Sequence, residues 1–365
     1  MRKGRKSPDA ACEQAVRFTS VLIAVLLAIV FGGAFIAAAG ANPFAAYGVI
    51  LQGAFGSARA WSETLLRATP LMLAGIGLAV SFRCNLTSIG SEGQIIIGAL
   101  CAAVVGMQLG SVPPVLAVTL SLLASIAGGA VCGGIAGLLK AKLGISEIIC
   151  TIMLNYIAIN LLSLLLDGAL HEPGSSYPQS AELPASVWLP QLFSGNRLHL
   201  GFILALIGVA AYYFFMFRMP AGFRIRMVGY NPRTAKYAGV NVAWSVVAAM
   251  LISGGMGGLA GGSEVLGIYH RLYNDFAAGV GFDAMAVALL GRLSPTGVVL
   301  ASIFFAALQT GTSTMQRTIQ VPTMIVSVIQ GLLILLIYSD KLYAGQIRRL
   351  FRRTLFREKR EETAA

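Results

Sequence analysis

Residues 200–240 read LGFILALIGVAAYYFFMF followed by RMPAGFRIRMVGYNPRTAKYAGV. The first block, Leu200 to Phe217, carries no charge and is of membrane-spanning length. The second, Arg218 to Val240, holds Arg218, Arg224, Arg226, Arg233 and Lys236 and no acidic residue. Basic residues just outside an apolar run mark the cytoplasmic side of a bilayer. An apolar span that runs into a positive loop is therefore the unit from which the rest of the chain is read.

Similar runs recur on both sides. The pattern predicts an all-α polytopic membrane protein of about ten transmembrane helices. These cover Phe18 to Ala39, Leu65 to Ser81, Gln94 to Leu109, Val115 to Leu139, Ile148 to Leu166, Leu200 to Phe217, Val242 to Leu259, a short Phe282 to Gly291, Gly297 to Gly311, and Met324 to Tyr338. Composition agrees, with 56% of the 365 residues apolar and 12% charged, against roughly a quarter charged in soluble domains. Mean hydropathy is +0.76. A soluble multidomain protein is excluded.

The net charge of +12 does not indicate nucleic acid, because of where it lies. Five Lys and Arg precede the first span, 5 fall in Arg218 to Lys236, and 8 run from Lys341 to the end. Residues 1–17 read as a cytoplasmic basic N-terminus, 18–338 as the transmembrane domain and 339–365 as a cytoplasmic basic tail. The first apolar run exceeds the core of a cleaved signal peptide. Ten spans place loop 218–241 inside and loop 167–199, with Asp167, Glu172 and Glu182, outside. Five spans per half would turn two equivalent halves upside down relative to each other, as in inverted-repeat transporters. Each half has a Gly-rich span and a broken polar region, Arg83 to Gln94 and Glu264 to Asp283.

Gly129, Gly133 and Gly137, and Gly254, Gly258 and Gly262, follow the spacing that lets helix backbones approach in lipid. The five cysteines lack metal or disulfide spacing, and the three histidines are separated, so no metal site is expected. In the fifth span Tyr156, Asn160 and Ser163 share a helical face, and Thr151 and Asn155 form a neighbouring pair. Polar groups in lipid must be paired or face a cavity, so these residues read either as interhelical hydrogen bonds or as the lining of a substrate pathway. Ser88, Glu92, Gln94 and Asp283 read as helix starts or as pathway lining. Glu264 and Asp275, with His270 and Arg271, read as a polar external stretch. Asn231 suits an N-cap, Pro232 the first helical position and Gly239 the stop. The segment reads either as a solvated connector or, because a helix this short is unstable alone, as a helix held against a partner.

Four stretches carry a resemblance: SIGSEGQ (Ser88 to Gln94), EIICTIMLNYIA (Glu147 to Ala158), the loop from Arg218, and GFDAMAVALLGRLSPTGVVLASIFFAALQTG (Gly281 to Gly311). They resemble the inner-membrane permease of ATP-binding cassette importers, in the branch with ribose, branched-chain amino acid and nucleoside permeases, and most of all the nucleoside type. The resemblance implies a second permease subunit, a cytoplasmic ATPase (in some systems a fused double domain) and an external substrate-binding lipoprotein. It also implies that Asn231, Pro232, Arg233, Lys236, Tyr237 and Gly239 form the coupling helix that contacts the ATPase. No GxxxxGK[ST] occurs in the chain, so ATP is expected on the partner and no cofactor here.

The expectation is a permease in a prokaryotic inner membrane that carries a neutral hydroxyl-rich solute, foremost nucleosides. The rivals are a pentose permease and an ion-coupled secondary transporter. The latter should carry a mid-membrane acid, whereas the acids here cluster near span ends.

Overall fold

The structure is a computed structural model and describes residues 26–27, 30–38, 40–193 and 195–320, with the single positions 324, 328, 331 and 335. Its helices follow the apolar runs. α1 (Val30–Ala38) and α2 (Pro43–Phe55) meet at a bend of 113°. After them come α3 (Ala58–Arg83), α4 (Ser91–Gln108), α5 (Pro114–Leu143), α6 (Glu147–Asp167) and α7 (Gly201–Arg218). Two short helices, α8 (Pro220–Tyr230) and α9 (Pro232–Tyr237), lead to α10 (Val242–Glu264), which continues as a π-helical turn, Val265–Tyr269. α11 (Val280–Leu290) and α12 (Pro295–Ile319) follow.

Among the described residues seven helices are long and apolar enough to cross a membrane, or up to eight if the bent pair counts as one. The count of ten is therefore reached only in part. Half of the first predicted span and most of the last fall outside the described residues. The eighth is an 11-residue helix, too short to cross alone.

The chain divides into two compact units. One comprises Met1–Gly53 and Gly311–Ala365; among its described residues Gly53 lies against Thr314, and Gly311 against Ile50. The other, Ala54–Thr310, is built around α10, which packs on α5, α4 and α3. The glycines make that packing possible. Side chains at Gly129, Gly254 or Gly258 would overlap the facing backbone of α5 or α10, and one at Gly98 would overlap Gly258. The Ser125 hydroxyl donates across the same seam to the Gly258 carbonyl.

Candidate functional site

Two ends of the larger unit can be distinguished by charge. At the basic end, Pro220 occupies the first turn of α8, and Gly222, Ile225 and Val228 face inward at helical spacing. Asn231 then closes α8 and caps α9, its Oδ1 accepting from the Arg233 and Thr234 amides at 3.0 and 3.2 Å. Gly239 ends α9 at φ +79, a conformation that suits glycine. Of α9 only Ala235 is buried. Arg233, Lys236 and Tyr237 are exposed, Tyr237 at 94%.

The same end is braced by Arg83. Its Nη2 donates to the Leu293 carbonyl at 2.8 Å, which also accepts from the Tyr212 hydroxyl at 2.7 Å. The guanidinium lies over Phe217. A cavity of about 890 Å³ opens beside α9, lined among others by Asn85, Lys140, Glu147, Lys236 and Asn241. Lys140 pairs with Glu147 at 2.8 Å. Cys84, also on this wall, has its thiol pushed up to about 12 by burial, which keeps it in the protonated form.

The polar residues of the SIGSEGQ stretch sit where the chain breaks before α4. The break is held by α6: Thr151 Oγ1 accepts from Ile89 N at 3.2 Å, Asn155 Nδ2 donates to Ile89 O at 2.8 Å, and Asn155 Oδ1 accepts from Gly93 N at 2.9 Å. Ser88 is buried, with its hydroxyl 3.4 Å from Gly90 N. Gln94 is buried against Gly133 of α5 and Gly257 of α10. Glu92 makes no cap on α4, whose N-cap Gly90 has no side chain to offer. Instead its Oε1 accepts from Gly279 N at 3.3 Å, just before α11. Asp283, in the first turn of α11, accepts from Gln309 at 2.7 Å.

α6 therefore has two polar faces. Asn155 points inward, and Ser163 Oγ donates to Asn274 Oδ1 at 3.1 Å. Tyr156 is 60% exposed, and Asn160, also exposed, donates locally to the Tyr156 carbonyl at 2.7 Å. The four residues are not one cluster.

At the opposite end the described part of the 167–199 loop is held by backbone hydrogen bonds. Ser180 N donates to Leu272 O, Leu183 N to His270 O and Leu189 N to Leu266 O. Trp188 stacks on His270 at 4.1 Å, and Arg271 reaches Glu172 and Glu182 at 3.5 Å each. Glu264, expected in a wet stretch, is buried, because α10 runs on through it into the π-helical turn.

Residues 60–338 match the family described as branched-chain amino acid transport system / permease component. The chain belongs to this family. The permease is 34% identical to the guanosine ABC transporter permease protein NupP of Bacillus subtilis (strain 168) over 322 residues, 87% of this chain and 92% of the relative. It is 34% identical to the glucose ABC transporter permease protein TsgB13 of Haloferax volcanii over 332 residues, 88% and 87% of the two chains. The nucleoside permease protein NupB of Lactococcus lactis subsp. cremoris is 31% identical over 325 residues, 87% and 89%. No solved structure shows a significant match.

The chain is thus an ABC transporter permease, a multi-pass membrane component of a transport system. Sequence reasoning on this permease missed α8, though Gly222, Ile225 and Val228 carried a helical period. It also missed the anchoring roles of Arg83 and Asn274. Nothing local marks a residue whose partner lies about 110 or 210 positions away.

Proposed function

We propose that this permease carries nucleosides inward across a prokaryotic inner membrane, working with a second permease subunit, a cytoplasmic ATPase and an external binding lipoprotein. The observation that carries the reading is the likeness to guanosine and nucleoside permeases over nearly the whole chain. Ten spans with both termini inside complete the topology, and the inverted halves would meet at the breaks before α4 and α11.

In this reading α9 is the ATPase contact. Its caps make it a rigid peg, Asn231 joins it to α8, and Asn241 caps α10 directly after it, accepting from Trp244 N at 3.0 Å. A push on Arg233, Lys236 or Tyr237 would then reach α10 through two residues of extended chain after Gly239. Tyr156 and Asn160 would line the pathway against the second subunit, offering hydrogen bonds to hydroxyls and amides of a neutral solute. Asn155, Ser163, Ser88 and Gln94 would set the walls behind them.

The sugar alternative is favoured by the glucose permease at the same 34% identity. Uptake of radiolabelled guanosine into cells carrying the complete system is expected to stop when the ATPase is inactivated and to persist when the proton gradient is collapsed with ATP maintained. Arg233→Glu with Lys236→Glu should abolish co-purification of the ATPase. Uptake that follows the proton gradient would overturn the ABC mechanism, whereas competition only by sugars would overturn the substrate alone.

A further inference from the structure

The chain between the π-helical turn and α11 is tied down at separate points. Its upper part, at His270 and Leu272, carries the loop that caps this end. Asn274 is held by Ser163 of α6, and Gly279 by Glu92 of α4. A cavity of about 30 Å³, lined by Glu92, Ile159, Ser163, Asn274 and Asp275 among others, separates the two ties. It has room for about one water.

Glu92 is placed for more than one bond. It lies in the first turn of α4, and its carboxylate accepts from the residue preceding α11, so one side chain joins two helix starts. A side chain on Gly281 would overlap the Glu92 backbone, so the two helix starts are in contact.

We infer that Glu92 is a positioning residue that latches segment 274–279 to α4, so that α11 and the loop cap move with the α4–α6 wall until the latch opens. The inference rests on the reading of the chain as a transporting permease, which supplies a reason for the segment to move. The latch itself is a property of Glu92 and Gly279. Glu92 Oε1 needs both an acceptor and full side-chain length. Gln retains both, Asp keeps the charge but is one methylene shorter, and Ala loses everything.

The test is the rate at which a cysteine at Ala277, a buried position beside the latch, reacts with a water-soluble thiol reagent. The assay uses the assembled transporter with its native cysteines replaced. Ala277→Cys alone sets the reference. Adding Glu92→Ala or Glu92→Asp is expected to speed labelling about five-fold, the effect of one lost hydrogen bond, and Glu92→Gln to restore the reference rate. Ser163→Ala should give a smaller rise. Unchanged labelling in both Glu92→Ala and Glu92→Asp overturns the latch, as does Glu92→Gln behaving like Glu92→Ala. If Glu92→Ala does not assemble, Glu92→Asp against Glu92→Gln decides alone. Labelling needs no substrate, so a failure of wild-type guanosine uptake would sink the nucleoside reading and leave this result standing.

Discussion

His199 sits two residues before α7, with its Nδ1 accepting the Gly201 amide at 3.0 Å and its Nε2 enclosed without a hydrogen bond. Burial, and then the nearby His270, hold its pKa down to about 4 from an ordinary 6.5. The folded state thus disfavours the charged ring, and its contribution to stability is complete above pH 6.5. That contribution drains as the pH falls towards about 4, because the unfolded chain takes the proton first. Proteolytic protection of the 170–200 loop should fall across that window. His199→Asn, which can still accept the Gly201 amide, should flatten the profile. An identical profile in the variant would assign the loss to His270, whose pKa burial also lowers. The same scale shows what local sequence can tell. Asn231, Pro232 and Gly239 were legible because a cap is made by neighbours in sequence. For α6 the spacing sorted Asn155 from Tyr156 and Asn160. It could not say that the first faces α4 and the others the exterior, since polar residues occur on both faces of the helix and the rest of it is apolar.

Helix contacts are decided by the absence of side chains as much as by their presence. At Gly258 an added methyl would overlap the Ser125 carbonyl and crowd Gly129 at 3.0 Å. Overpacking of this kind costs about 1–3 kcal/mol. Gly258→Ala should therefore lower the thermal inactivation midpoint of the purified permease, whereas Gly48→Ala in α2, with nothing within 4 Å, should hold or raise it through helix propensity. Equal midpoints would remove the seam from the stability of the bundle. The seam was legible as small residues at four-residue spacing, and so were the long spans. α2 and α8 were not. α2 lies behind a sharp bend, and α8 is a basic helix whose inward positions include a glycine, so neither shows the uninterrupted apolar run that marks a span.

For the molecule as a whole, charge gave an orientation that the helix count leaves open. Tyr177 and Tyr237 are both strongly exposed, at 75% and 94%, and lie at opposite ends of the larger unit. In intact cells a cysteine at Tyr177 should react with an impermeant thiol reagent, and one at Tyr237 only after permeabilisation. The reverse pattern would invert the protein. α11 has a consequence for how such a chain is made. Its 11 residues rise about 16 Å, close to half of the ~30 Å hydrocarbon layer. A segment of that length gains too little from lipid to leave a translocation channel on its own. It must be retained until α3 and α4, the helices it packs against, stand ready to receive it. Biosynthesis of the C-terminal part therefore waits on completed assembly of the N-terminal part, and a truncation that removes α3 or α4 would leave α11 stranded in water rather than in the bilayer.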